Sequence, residues 1–114
     1  MIKFLVLQIR RQDYHSVLET KVKVDPNYML IEEAWRKWLY HKACYITAND
    51  LDEVFRIGNI GPEDSIERLG SMYSISVGDV IVNTSNQKMV YVDNFGFERL
   101  PALEQLLELE GEKL

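Results

Sequence analysis

Hydrophobic and polar positions alternate in the first part of the chain, and the alternation predicts two β-strands. Residues 2–10 carry apolar side chains on both faces of the expected strand, which indicates a strand covered on both sides. Residues 16–24 alternate Thr20, Val22 and Val24 with lysines, which predicts a half-buried edge strand with its lysines in solvent. The polar segment 11–15 between them is expected to be a loop.

The next segment changes to helical spacing. Apolar residues between Ile31 and Leu39 recur every three or four positions and include two tryptophans, which predicts an amphipathic helix over about residues 26–42. Asp25 followed by proline is typical of an N-cap and a first helical position. Each of the two tryptophans in this helix is expected to bury a large apolar area.

A second, shorter helix is predicted immediately afterwards. Asn49 or Asp50 is placed to cap it, and Glu53 follows Asp50 at the spacing of a capping box. Gly58 is placed to end this helix in a left-handed conformation. The Gly-Pro-Glu-Asp sequence that follows is expected to start a further short helix that runs to Arg68.

The C-terminal part has the pattern of a β-hairpin followed by a helix. Residues 72–83 and 88–94 are the predicted strands, joined by a Thr-Ser-Asn-Gln turn, and Gly78 predicts a bend in the first of them. Residues 97–100 are expected to add a short strand. Pro101 then opens the last helix.

These elements together predict an α+β fold. The expected architecture is a small antiparallel sheet of four to five strands, including the C-terminal hairpin, with helices packed on one face. A chain of 114 residues is expected to form one domain over residues 1–114.

Composition narrows the class of protein. Hydrophobic residues make up 46% of the chain and charged residues 27%, which is typical of a globular domain. The formal net charge of −5 argues against non-specific binding to a polyanion, because phosphate contacts need clustered lysine and arginine. No apolar run approaches the roughly 20 residues of a membrane span, so no membrane association is expected.

Cys44 is the only cysteine, so no disulfide can form within one chain. A reducing cytoplasm is therefore the expected location. Cys44 and His41 have the spacing of two metal ligands on a helix, but a zinc site needs further ligands that the pattern does not supply. We therefore expect a structural cysteine beside a surface histidine, with no metal and no other cofactor.

No catalytic constellation stands out, so the sequence favours a protein that is not an enzyme. The nucleophile elbow of hydrolases and the glycine-rich loops that bind phosphates are both absent from the sequence. A Cys44–His41 nucleophile would lack an identifiable group to orient the histidine.

The C-terminal hairpin holds the candidate binding residues. Asp79 and Asp93 fall near each other if its strands pair, either as an acid–base pair or, as the pattern favours, as residues that stabilise their own turns. Tyr91, Phe95 and Phe97 could stack on nucleic-acid bases if they were exposed, but burial in a core is the favoured interpretation.

The stretch from about residue 50 to residue 103 resembles the YodL-like domain family. Its short helix, Pro-Glu-Asp turn, Asp-containing strand and Tyr-Val-Asp…Gly-Phe ending all resemble the family pattern. The matching positions are Phe55, Asn59, Pro62, Glu63, Asp64, Ser76, Val77, Asp79, Val80, Ile81, Tyr91, Val92, Asp93, Gly96 and Phe97. The resemblance implies a setting on plasmids, phages and other mobile elements, and it implies no catalytic residue and no cofactor.

The sequence therefore predicts a small soluble accessory protein of a mobile element or phage that acts by binding another protein. A concrete form of this prediction is a modulator or inhibitor of a host defence or DNA-processing protein. The alternatives are a nucleic-acid-binding module built on the 72–97 hairpin and an enzyme that uses Asp79, Asp93 or Cys44. Both a monomer and a homodimer are compatible with the pattern.

Overall fold

The strands of the protein form one antiparallel sheet in the order β3-β2-β1-β4-β5-β6. The computed structural model describes residues 1–10 and 17–110, with side chains as far as residue 105. The strands are β1 (Ile2–Ile9), β2 (Tyr40–Ala48), β3 (Ile66–Arg68), β4 (Val80–Asn83), β5 (Lys88–Asp93) and β6 (Gly96–Arg99). The longest of them, β1 and β2, lie side by side near the middle of the sheet.

Helices cover both faces of this sheet. They are α1 (Val17–Val24), α2 (Tyr28–Arg36), α3 (Leu51–Ile60) and α4 (Pro101–Glu110), with a 3₁₀ turn at Glu63–Ser65. None of the helices in the described part of the chain is long and apolar enough to cross a membrane.

Strand β1 separates two hydrophobic cores because alternate side chains point to opposite faces. Leu5 and Leu7 belong to the core that α1, α2 and α4 cover, while Phe4 and Val6 belong to the core under α3. All four side chains are buried, so the prediction of a strand covered on both faces is confirmed.

The α+β class is confirmed, and two finer features of the predicted architecture are wrong. The described residues contain six strands rather than four to five, and the helices pack on both faces rather than on one. The strand count differs because β2 and β3 were not predicted and residues 17–24 are helical. The second face is covered because apolar side chains of β1, including Phe4 and Val6, form a core with α3 on that side.

The strand predicted over residues 16–24 is wrong, since Val17–Val24 forms α1. Its buried side chains are Glu19 and Val22, which are three residues apart as on a helix, whereas Val24 is 73% exposed. Burial in this segment therefore follows the helical repeat. The alternate spacing of Thr20, Val22 and Val24 in the sequence does not correspond to alternate burial. The loop predicted over residues 11–15 lies outside the described residues.

The helix predicted over residues 26–42 is shorter than expected. It begins after Asn27, whose side chain accepts a hydrogen bond from the Leu30 N–H at 3.1 Å, and Asp25 is not its cap. It ends at Arg36, and Trp38 has a positive φ of 61° and is 77% exposed. The following residues instead form β2, which pairs along the whole length of β1.

The capping box of α3 is confirmed, but its predicted end is wrong. The Asp50 carboxylate accepts a hydrogen bond from the Glu53 N–H at 2.8 Å, and the Asn49 N–H donates to the Glu53 carboxylate at 3.2 Å. The helix continues through Gly58 to Ile60, and Gly61, with a φ of 108°, is its C-cap. The helix predicted through Arg68 is only a 3₁₀ turn followed by β3.

The C-terminal hairpin has the predicted pairing but a shorter first strand. Only Val80–Asn83 is strand, and residues 71–76 follow an irregular path across the sheet. The Val92 N–H donates to the Asp79 carbonyl at 2.9 Å, so Asp79 lies opposite Val92, the residue before Asp93. Strand β6 and the start of α4 at Pro101 also lie where the pattern placed them.

Candidate functional site

The five residues predicted as a candidate site are distributed over three places. Tyr91 is 6% exposed and belongs to the core under α1, α2 and α4. Phe97 lies on the opposite face and pairs with Val92, and Asp93 and Phe97 are both among the residues that line a surface concavity at this end of the hairpin. Phe95 is 99% exposed, so the burial favoured for it is wrong: it lies in the turn between β5 and β6, where its side chain has no core to enter. Asp79 is buried at the start of β4. The structure therefore places Asp93, Phe95 and Phe97 at one end of the β5–β6 hairpin, whereas Tyr91 and Asp79 are buried.

Asp79 stabilises the segment that crosses the sheet before β4. Its Oδ2 accepts hydrogen bonds from Gln8 Nε2 at 3.0 Å and from the Ser76 N–H at 2.9 Å. Gln8 in turn donates to the Tyr73 carbonyl at 3.0 Å and accepts from the Tyr73 N–H at 3.0 Å. Both side chains therefore hold residues 73–76 against the sheet, which is a structural role.

The environment of Asp79 makes its ionised form unfavourable. Burial raises the pKa of this carboxyl to about 7, against the opposite effects of the Ser76 N–H, the Gln8 amide and the positive charge of Lys23. Sequence reasoning identified Asp79 but not Gln8, which lies 71 residues earlier in the chain. Nothing local in the sequence links the two residues.

A concavity of about 360 Å³ opens beside Asp79. Gln8, Glu19 and Lys23 line it, and Glu19 Oε1 lies 3.8 Å from Lys23 Nζ. The polar atoms of Gln8 and Asp79 are directed at the backbone of residues 73–76 rather than into open space. This arrangement supports the fold and offers no evident ligand chemistry.

Cys44 and His41 both lie on strand β2 and not on a helix. Cys44 is fully buried, and this burial raises the pKa of its thiol to about 11. His41 Nε2 lies 2.8 Å from the Ser71 carbonyl oxygen. Within residues 1–10 and 17–110, no group of three or more His, Cys, Asp or Glu side chains could hold a metal ion.

We expect Cys44 to be unreactive in the folded protein, because the thiolate is the reactive form and burial disfavours it. Native protein mixed with a thiol reagent such as DTNB at pH 8 should release less than about a tenth of one equivalent of chromophore in the time that guanidinium-unfolded protein reacts completely. Rapid reaction of the native protein would contradict this burial and would revive a nucleophilic role for Cys44.

An extended surface feature of the described residues is a groove between α3 and strands β4, β5 and β6. It consists of two adjoining concavities of about 470 Å³ and about 600 Å³, and Asp52 and Phe97 line both of them. These volumes are of the size that binding sites in proteins usually have. We call this feature the α3 groove, with a first compartment next to Asp93 and a second compartment next to Lys88.

The start of α3 and its buried side together determine which of its residues face the α3 groove. The Asp50 cap fixes where α3 begins, and Val54 and Ile57 then bury one side of the helix. Asp52 and Phe55, three residues apart, face the groove instead. Sequence reasoning missed these two residues as site residues, although their spacing on the helix, away from the buried side, was a usable signal.

The floor of the groove is apolar and its rims are charged. Val92 and Phe97 pair across strands β5 and β6 and lie in the first compartment, beside Ile75 from the irregular segment. Asp52 and Asp93 are the charged residues among those that line this compartment. An apolar floor with a few polar groups on its walls is the usual construction of a binding surface.

Comparison of this chain with protein-family models, with curated proteins and with solved structures finds no match. The resemblance of residues 50–103 to the YodL-like family therefore stays a prediction. The function has to be argued from the α3 groove itself.

Proposed function

We propose that this protein acts by binding another protein, and that the α3 groove receives the partner. The observation that carries the proposal is the continuity of the groove: Asp52 and Phe97 line both compartments, so the two concavities adjoin along the sheet. Phe95 stands fully exposed at the adjacent tip. An exposed aromatic side chain beside an apolar groove is typical of an anchor at a protein interface.

The biological setting forms part of the same proposal. Following the resemblance of residues 50–103, we propose an accessory protein of a mobile element or phage that modulates a host defence or DNA-processing protein. Catalysis is less well supported, because the Asp79 carboxylate bonds within its own fold and Cys44 is buried. The nucleic-acid alternative is also less well supported, because only Phe95 of its three stacking candidates is fully exposed and Tyr91 is buried in the core on the opposite face from Phe97.

Site-specific photocrosslinking tests the proposal. Benzoylphenylalanine at position 95 places the probe beside the groove, and the same residue at position 29 provides a matched control. Met29 is also an exposed apolar side chain, but it lies on α2, which packs on the opposite face of the sheet. We expect a discrete cross-linked protein from position 95 in cells that express the chain, and none from position 29.

A second change identifies the groove as the surface responsible. Phe97→Ser removes the aromatic ring shared by both compartments, and it should abolish the cross-link at position 95 while the protein remains folded by circular dichroism. Equal cross-linking from positions 95 and 29, or none from either, would overturn the proposal. A cross-linked product that is removed by nuclease and not by protease would favour the nucleic-acid alternative instead.

A further inference from the structure

One short segment separates the α3 groove from the concavity beside Asp79. Ser76 and Val77 line both the first compartment of the groove and that concavity. Residues 73–77, which we call the wall segment, therefore have the groove on one side and the Asp79 concavity on the other. A movement of the wall segment changes both spaces at once.

Ile75 connects the wall segment to α3. Its side chain is buried and packs directly on Gly58, where a Cβ would overlap with it. Asn59 Nδ2 of the same helix donates a hydrogen bond to the Ile75 carbonyl at 3.2 Å. Because Ile75 also lines the first compartment, any displacement of it alters this compartment and its contact with α3.

Asp79 is the ionisable anchor of the wall segment. Residues 71–76 belong to neither a strand nor a helix, so side chains hold much of this backbone. Asp79 Oδ2 accepts hydrogen bonds from the Ser76 N–H and from Gln8 Nε2, and Gln8 bonds to both backbone groups of Tyr73. One carboxyl therefore acts on Ser76 directly and on Tyr73 through Gln8. A segment held by few contacts of this kind opens locally at a lower free energy than the strands of a sheet.

The position of the wall segment is linked to the protonation of Asp79. The carboxyl is 8% exposed, and burial disfavours its charged form. Its pKa is about 7 with the segment in place, against 3.8 for an unperturbed aspartate. The closed arrangement therefore binds the proton more tightly than an arrangement in which water reaches the carboxyl, so loss of the proton favours opening.

Other titratable groups lie near Asp79 in the described part of the chain. They are Glu19 and Lys23 on α1, Tyr40 and Cys44 on β2, Tyr73 on the wall segment and Asp93 on β5. Burial raises the pKa of Tyr40 well above its ordinary value and that of Cys44 to about 11, so both keep their protons near neutral pH. The positive charge of Lys23 lowers the pKa of Asp79, but burial outweighs it.

We propose that Asp79 makes the α3 groove sensitive to pH. The protonated carboxyl holds the wall segment against the sheet, and the first compartment keeps its wall. When the proton is lost, the wall segment moves outward so that water reaches the carboxylate, and the first compartment loses this wall. The inference rests on the proposed function in that it names a regulation of the same groove.

Amide hydrogen exchange of the full chain, followed by NMR, tests the first step. The Tyr73 and Ser76 N–H groups should exchange through local opening, and therefore faster than amides of β1 after correction for intrinsic rates. From pH 5 to pH 7 we expect their protection factors to fall by about fiftyfold, because opening lowers the pKa of the carboxyl from about 7 to 3.8. In Asp79→Asn the change should be less than about twofold, because asparagine has no proton to lose.

Side-chain chemical shifts test the coupling to the groove. Phe55 and Ile75 line the first compartment, whereas Ile2 and Leu51 line the second compartment and provide the control within the same molecule. In the parent, the Phe55 ring and Ile75 methyl signals should shift with a midpoint at about pH 7, and in Asp79→Asn they should not. The Ile2 and Leu51 signals should move little in either protein.

His41 is a further source of pH dependence, since its ring lies 2.8 Å from the Ser71 carbonyl oxygen, just before the wall segment. It is common to the parent and Asp79→Asn, so its effect cancels in the difference. The chemical shift of the Asp79 carboxyl carbon in the parent gives the same titration without any substitution. A midpoint at about pH 7 is expected, and a midpoint near that of an unperturbed aspartate would overturn the inference.

Three further outcomes would also overturn it: wall-segment amides that exchange no faster than those of β1, protection factors that change equally in the parent and in Asp79→Asn, or Phe55 and Ile75 signals that do not follow the titration. The proposed function is judged separately, because none of these measurements involves a partner. A missing cross-link at position 95 would overturn the function and leave the coupling as a property of the fold, whereas a failed titration would leave the groove as a binding surface that does not respond to pH.

Discussion

Replacing Gly78 by alanine should lower the free energy of unfolding by about 3 kcal/mol or more. Gly78 has a φ of 92°, a conformation that residues with a side chain rarely adopt. A Cβ at this position would lie 2.4 Å from Val22 Cγ1, inside the core under α1 and α2. Backbone strain of about 1–2 kcal/mol therefore adds to an overpacking cost of about 1–3 kcal/mol.

The same substitution disturbs a buried hydrogen bond. The Tyr40 hydroxyl donates to the Gly78 carbonyl at 2.6 Å, and burial raises the pKa of Tyr40 well above its ordinary value, so the hydroxyl keeps its proton. Any shift of residue 78 away from Val22 displaces this carbonyl. The expected loss in the free energy of unfolding is large for a domain whose total stability is of the order of 5–15 kcal/mol.

Urea unfolding followed by tryptophan fluorescence measures the effect, and two further variants separate its causes. Gly96 has a positive φ of 147°, and a Cβ added there would have no neighbour within 4 Å. Gly96→Ala therefore reports backbone strain alone and should lower the free energy of unfolding by about 1–2 kcal/mol. Val22→Ala removes the atom that clashes, so the double variant should be less destabilised than the sum of the single variants. A Gly78→Ala protein within about 0.5 kcal/mol of the parent would contradict the prediction.

The stability of the protein should fall as pH rises from about 4 to about 7, because Asp79 is buried. The pKa of its carboxyl is about 7 in the folded protein and 3.8 for an unperturbed aspartate. Between these values the folded chain holds a proton that the unfolded chain has released. Raising the pH therefore favours the unfolded state, by up to about 4 kcal/mol at about 1.36 kcal/mol for each pH unit.

Asp79→Asn is the matched comparison, because asparagine still offers an oxygen to Gln8 and to the Ser76 N–H but has no charge. Between pH 5 and pH 8, we expect the parent to lose about 3 kcal/mol relative to this variant in urea unfolding. The other titrating groups are common to both proteins and cancel in the difference. Parallel stability curves, or a parent that gains relative to Asp79→Asn with rising pH, would contradict the assignment.

Local signals in the sequence predicted the elements that local interactions determine. The capping box at Asp50 and Glu53 lies within four residues, and the pairing of Asp79 with Val92 follows from the length of one turn. The strand predicted over residues 88–94 is also present as β5, and its alternation places Val90 and Tyr91 on opposite faces. These features depend on neighbours in the chain, so the pattern contains the information that sets them.

The candidate site was only partly predictable, because only some of its residues are close to one another in the sequence. Asp93 and Phe97 belong to one hairpin, and the sequence placed them together correctly. The other wall of the groove comes from Asp52 and Phe55 on α3, some forty residues earlier in the chain. Gln8, the partner of Asp79, is still further away. Contacts between distant segments leave no periodic trace in a single sequence.

The sequence by itself determined the α+β class, the C-terminal hairpin, the cap of α3 and the covered strand β1. Only the tertiary structure decided that residues 17–24 are helical and that Tyr40–Ala48 is a strand. The sequence patterns of both segments fit a helix or a strand. Which of the two forms depends on which segment pairs with β1 and on which side chains become buried as a result. The same packing placed α3 opposite β5 and β6, and thereby formed the groove that we propose as the binding surface.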